Sequence, residues 1–261
     1  MLNMLLSKLY ERDTYRNPDI MTSFRKPIYE YDMHHAGYSI TKEYHLLPDS
    51  SLELITNKAT VNGKIDKKKL AIALGLVQRS NEEYKKKLAK GFIQVRKDFF
   101  DKNDLEDNDI LSIKKDAIFT FKECSSLHYG EVSFAEKHQY TSYLFTGVYE
   151  YYYKCPNTLD IKGIGDISFF DPCIIEFIQK FFYKMENESI DSVLKYLRVY
   201  IDKYKKLELD VEFYRSFNGL HRYDSKDGAY IYHDIGPEIL HEINIRTNYD
   251  LLILPLLKAV I

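Results

Sequence analysis

Two aspartates carry the chemistry that this 261-residue chain offers, Asp32 and Asp116. Asp32 lies at the end of an extended run, Pro27 to Met33 (PIYEYDM), just before a small-residue turn at Ala36-Gly37. Strand alternation puts Ile28, Glu30 and Asp32 on one face and Tyr29, Tyr31 and Met33 on the other. Asp116 belongs to a polar centre, Lys114-Lys115-Asp116, between the apolar runs 110–113 and 117–121, a pattern that reads as a β-hairpin. Two carboxylates meeting at the edge of an antiparallel sheet can hold two divalent cations about 3.5–4 Å apart and align an in-line phosphoryl displacement. Mg²⁺ (or Mn²⁺) takes oxygen ligands and keeps several waters, so two or three carboxylates suffice, and Glu30 is the nearest third. Cationic side chains on a neighbouring helix would meet the departing triphosphate, with Lys90, Lys86 and Arg79 as the candidates.

Each feature also has a plainer reading. Asp favours turns because it bonds its own backbone. Lys86, Lys90 and Lys97 fall on what reads as the solvated face of an amphipathic helix. His34-His35 make a poor zinc pair, since neighbours on a strand point opposite ways. Tyr149, Tyr151, Tyr152 and Tyr153 offer aromatic faces for base stacking, but their alternation sends about half of them into packing. No Walker loop, GxGxxG or nucleophile elbow is present.

The elements that must position the aspartates follow from periodicity. A short amphipathic helix is predicted within residues 1–12 and another after Pro48. Residues 66–79 and 81–100 are predicted helical, with Ser80 and Glu83 as a capping box. Tyr84, Leu88, Phe92, Val95 and Phe99 make one helix face. Residues 101–109 (DKNDLEDND) read as a solvated loop. Strand-like runs follow at 131–134, 140–145, 148–153 and 159–164. Residues 172–185 and 189–206 read as helices. These expectations describe an α+β chain with an antiparallel sheet and packed helices over 1–165 and a mostly helical region over 166–261.

The order of these pieces resembles the palm and thumb of family B DNA polymerases. YDMHHAGYSI around Asp32 is similar to the first palm motif, in which an Asp ends a strand before a turn. Ile113-Lys-Lys-Asp116-Ala-Ile-Phe119 resembles the third palm motif, matching its second Asp, small residue, aliphatic and Phe. The pattern EYD…SIKKDA also resembles that of bacteriophage polymerase-like proteins. The resemblance implies fingers helices over 66–100, a primer-strand contact at Lys137-His-Gln-Tyr140, and a step into the thumb at Ile161-Lys162-Gly163-Ile164. On the thumb helix 189–206 it places Lys195 and Arg198 to track the duplex backbone through charge, while Lys114 and Lys115, which depart from the motif, either bind primer or template phosphate or mark a palm that has lost catalysis. Lys114 replaces the first Asp of the third motif, the second motif is absent, and Gly37-Tyr38-Ser39-Ile40 replaces the usual turn. The palm is expected to begin without a preceding exonuclease domain.

Composition bounds the choices. Lys+Arg 37 against Asp+Glu 39 leaves a net charge of −2, so a nucleic-acid surface here must be local. Three cysteines without a CxxC pair argue against a disulfide framework and for a reducing cytosol. The C-terminal run LLILPLLKAVI is too short to cross a bilayer, leaving a buried last element or a protein-docking segment. The expectation is a Mg²⁺-dependent nucleotidyltransferase of phage origin, acting on a primer–template, DNA ahead of RNA, in the host cytoplasm and without a membrane. The alternative is the same palm fold without catalysis, serving as a nucleic-acid-binding or replication or assembly accessory.

Overall fold

The computed structural model describes residues 8–163, 172–210, 213–214, 246 and 248–261, and the backbone of 222–224 and 230–232. The fold is α+β. Contacts divide the chain into two compact units, Met1–Pro18 with Ile28–Gln139, and Asp19–Pro27 with Tyr140–Ile261. The change of sequence texture near 165 falls inside the second unit.

In chain order the elements up to the middle of the molecule are β1 (Thr14–Arg16), β2 (Thr22–Met33), α1 (Ala36–Glu43), α2 (Asp49–Ala59), β3 (Thr60–Val61), β4 (Lys64–Ile65), α3 (Lys67–Ser80), α4 (Glu82–Lys102), β5 (Ile110–Lys114), β6 (Ala117–Thr120), β7 (His128–Tyr129) and β8 (Val132–Phe145). In the first unit the strand order is β1-β5-β6-β2-β8, with β7 paired to β8. Helices α1 and α4 supply the buried residues that pack with this sheet, among them Ile40, Tyr84, Leu88, Phe92 and Phe99. The apolar stripe predicted on α4 is therefore the buried one.

Helix α4 begins one residue later than the predicted capping box requires. Asn81 is the cap, its carboxamide oxygen accepting the Tyr84 N–H at 2.9 Å, while the Ser80 hydroxyl bonds back to the Leu76 carbonyl at 3.1 Å. Asp66 caps α3 in the same manner through the Lys69 N–H. Helices α1 and α4 approach closely at Gly91, where a Cβ would stand 2.4 Å from Ile40 Cγ2. The runs predicted as separate strands at 131–134 and 140–145 are one strand, β8, whose polar centre Glu136-Lys137-His138 is exposed but still extended. Of the predicted N-terminal helix, residues 1–7 lie outside the described residues, and Leu9–Glu11 form a 3-10 turn.

The second unit holds the latter part of β8, then β9 (Glu150–Lys154), β10 (Thr158–Lys162), α5 (Pro172–Asn187) and α6 (Ile190–Lys205). Strands β8, β9 and β10 pair antiparallel in that order. Ile164 of the predicted 159–164 strand lies outside the described residues. The core here is aromatic: Tyr153 stacks on Phe182 with centroids 5.2 Å apart, and Phe177 meets Tyr200 at 4.4 Å. Tyr149, Tyr151, Tyr152 and Tyr153 are all buried, so packing is their role. Leu252, Ile253 and Leu256 of the C-terminal apolar run are buried in this same cluster. Among the described residues, no helix is long and apolar enough to cross a membrane.

Candidate active site

Asp32 and Asp116 reach the same place by two local rules. In the β2–β6 ladder Asp32 stands opposite Ala117, the residue after Asp116. In the β5–β6 ladder Lys114 stands opposite Ala117, so Lys115 and Asp116 form a two-residue turn. The Met33 N–H donates to the Asp116 carbonyl at 3.0 Å, tying the turn to the end of β2. Both aspartates line one cleft of about 610 Å³ that lies wholly in the first unit. Its apolar side comes from Leu70 and Leu74 of α3 and Leu88 and Phe92 of α4. Its charged side adds Lys67, Lys115, Lys137, His34 and His35 to the two aspartates.

Lys137, on β8, lies across the acidic face. Its ammonium is 3.8 Å from Asp32 Oδ2 and 3.6 Å from Glu30 Oε1. Glu30 is 1% exposed and sits behind Asp32 on the same strand face, as the alternation predicts. The ammonium thus pairs with Asp32 and Glu30, whereas Asp116 meets Asp32 only as a second carboxylate lining the same cleft; carboxylate oxygens are the donor type that Mg²⁺ or Mn²⁺ takes. His35 opens α1 from a left-handed backbone conformation, φ +49°. Burial holds its imidazole below the ordinary histidine range, and the charges of His34 and Lys67 push the same way.

The turn that carries Asp116 is held from outside the hairpin. Lys115 has φ +59°. Its N–H donates to the Asp13 carbonyl at 2.7 Å, and its carbonyl accepts from Arg96 Nη1 at 3.0 Å. The same guanidinium donates through Nε to the Tyr10 carbonyl at 2.8 Å and through Nη2 to Asp13 Oδ1 at 3.0 Å. Arg96 is fully buried, whereas the Asp13 side chain is 70% exposed.

The predicted site residues divide. Asp32, Asp116, Lys115 and Lys137 line the cleft, and Glu30 adjoins it through Lys137. Arg79, Lys86 and Lys90 are exposed and do not line it. Lys86 and Lys90 each lie two residues from Leu88, about 200° around the helix from the side that faces the cleft. Lys114 is half-buried at the end of β5. Tyr140, expected to touch a primer, is instead fully buried, and its hydroxyl bonds the Asp160 carboxylate. The reason is strand parity, because residues three apart face opposite ways and an exposed Lys137 sends Tyr140 inward. In the second unit Lys162 is half-buried on β10, and Lys195 and Arg198 are exposed on α6.

Two residues of the cleft region escaped the sequence reading. Lys67 is the first of three successive lysines, all exposed, and nothing in that run marks which one borders the cleft. Arg96 carried a usable signal: it follows Leu88 and Phe92 at four-residue steps and so stands as a lone charge on an apolar stripe.

The family model described as "Bacteriophage PBS1 gene 130 protein" matches residues 4–261. No curated protein matches the chain significantly. The chain belongs to this bacteriophage protein family.

Proposed function

We propose that this phage-family protein is a polymerase-like palm that binds primer–template nucleic acid, DNA ahead of RNA, and transfers nucleotides at Asp32 and Asp116, acting in the host cytoplasm. The observation that supports this reading is the convergence of the two aspartates on one cleft with Lys67, Lys115 and Lys137 around them. Divalent cations held by Asp32 and Asp116 would neutralise the triphosphate and favour the attacking hydroxylate. Lys67 and Lys115, which line the same cleft, bring positive charge to phosphate oxygens. Leu70, Leu74 and Phe92 give a nucleobase an apolar surface and keep water from one wall. Lys137 releases Asp32 when a cation binds there and takes a backbone phosphate. Lys114 in the first unit, and Lys162, Lys195 and Arg198 in the second, serve as sequence-independent phosphate contacts.

One observation favours a second reading. The Lys137 ammonium lies within 4 Å of both Asp32 and Glu30, where a metal would otherwise bind. In that reading the lysine replaces the metal, and the fold binds nucleic acid as a replication or assembly accessory.

Primer extension with Mg²⁺ or Mn²⁺ separates the two. The first reading expects incorporation by the wild type and background levels in Asp116→Ala. Extension that persists unchanged in Asp116→Ala overturns it. Salt-dependent binding to a primer–template without extension selects the second reading. The absence of both removes the pair.

A further inference from the structure

The β5–β6 turn holds a lysine in a position that normally belongs to glycine. A two-residue hairpin turn with positive φ at its first central residue alone follows the type II′ pattern, which places Gly there. Lys115 has φ +59°, and Asp116 is not among the residues of positive φ. A side chain with a Cβ does not settle there by itself, so contacts from elsewhere must hold it. Those contacts take up both backbone polar groups of Lys115, through the Asp13 carbonyl and the Arg96 guanidinium.

The Arg96 guanidinium is buried, and each of its three nitrogens donates within the protein. Its hydrogen bonds go to two backbone carbonyls, Tyr10 and Lys115, and to the Asp13 carboxylate. A buried guanidinium is costly to desolvate, and an apolar side chain of similar volume would fill the same space on the α4 stripe. What arginine adds is direction, since its rigid fork engages several acceptors at fixed angles and lysine cannot reproduce it.

We propose that Arg96 is a positioning residue for Asp116: by clamping the Lys115 carbonyl it holds the turn in the conformation that directs the Asp116 side chain into the cleft. The consequence for cation binding rests on the metal-site reading of Asp32 and Asp116. Loss of the clamp lets Lys115 relax out of the left-handed region, and Asp116 turns with it.

The test uses the full chain, Mn²⁺ binding followed by electron paramagnetic resonance, and exchange of the Lys115 amide hydrogen. Arg96→Lys is expected to weaken Mn²⁺ binding about tenfold and to speed Lys115 exchange by at least a similar factor. Adding Lys115→Gly to Arg96→Lys restores most of the Mn²⁺ affinity, because glycine adopts φ +59° unaided. Adding Lys115→Ala removes the same charge but keeps the Cβ, and restores little. A merely structural arginine would not discriminate between these two double variants once each is confirmed folded by circular dichroism. Arg96→Lys with unaltered Mn²⁺ affinity, or alanine rescuing as well as glycine, overturns the proposal. If Asp116→Ala leaves wild-type Mn²⁺ binding intact, the metal reading fails by itself. The clamp then stands on faster Lys115 exchange in Arg96→Lys and falls on unchanged exchange.

Discussion

The two units bury their interiors by different means. In the first, polar side chains go inside and each addresses a particular partner. Arg96 reaches three acceptors. Asn103 bonds the Phe99 and Ser126 carbonyls and accepts the Ser126 N–H, each at 2.9 Å. Thr41 and Tyr84 join hydroxyls at 2.8 Å between α1 and α4. In the second unit the main cluster is ring against ring: Phe177 with Tyr196, Tyr200 and Phe213, Tyr153 with Phe182, Tyr204 with Tyr214. Apolar burial is non-directional, whereas a hydrogen bond to a named carbonyl sets where a segment points. The second unit has addressed contacts too, such as Asn248 to the Phe213 carbonyl, but the buried arginine fork lies in the first, the unit with the charged cleft, where direction matters.

Substitutions can break or sharpen this contrast. The largest loss is expected from Phe177→Ala, which removes a fully buried ring from the aromatic cluster and costs about 3–5 kcal/mol in denaturant unfolding of the second unit. A cost below about 1 kcal/mol would mean that ring packing does not hold that unit. In the first unit Gly91→Ala drives a Cβ into Ile40 and is expected to cost about 1–3 kcal/mol, read the same way. Stability unchanged by that substitution would mean α1 and α4 separate easily.

The cysteines give a third measure. Cys124 in the first unit is buried, and desolvation pushes its thiol from an ordinary value near 9 up to about 12. Its thiolate is therefore suppressed in the folded state, and alkylation of Cys124 is expected to stay slow at pH 9 while Cys155 and Cys173 react. The folded chain keeps a proton that the unfolded chain loses above pH 9, so this thiol's contribution to stability falls as pH climbs from 9 toward 12. Tyr129, also pushed up to about 12 by burial, acts in the same direction. Equal labelling of all three thiols at pH 9 would contradict this. The smallest effect is expected in the aromatic cluster, where the buried Tyr151 hydroxyl has no hydrogen-bond partner among the described residues. Tyr151→Phe should leave stability within about 1 kcal/mol of wild type, on the stabilising side, whereas a clear loss would reveal a partner for that hydroxyl.

Where periodicity was strong, the elements were legible: α3 and α4, the β5–β6 hairpin, α5 and α6 all lie where the apolar spacing puts them. The positions of Asp32 near a strand end and of Asp116 in a hairpin turn were legible too, because both are local features. What failed was the choice of partners across elements. Lys86 and Lys90 looked suited to a phosphate by type, but the cleft lies on the Leu88–Phe92 side of their helix. The polar Glu136-Lys137-His138 looked like a break between strands, yet an exposed strand centre needs no apolar residues to stay extended. Lys67 and the reach of Arg96 to Tyr10 and Lys115 depend on contacts distant along the chain, which local pattern does not encode.

The left-handed backbone at position 115 also orders the history open to this family. Glycine at 115 can be acquired first, and the arginine nineteen positions earlier then becomes dispensable. Taken in the opposite sequence, the same two replacements pass through an ancestor whose acidic turn has lost its aim. The pair forms a one-way street, and relatives are expected to carry lysine with arginine, or glycine with either, but not lysine alone.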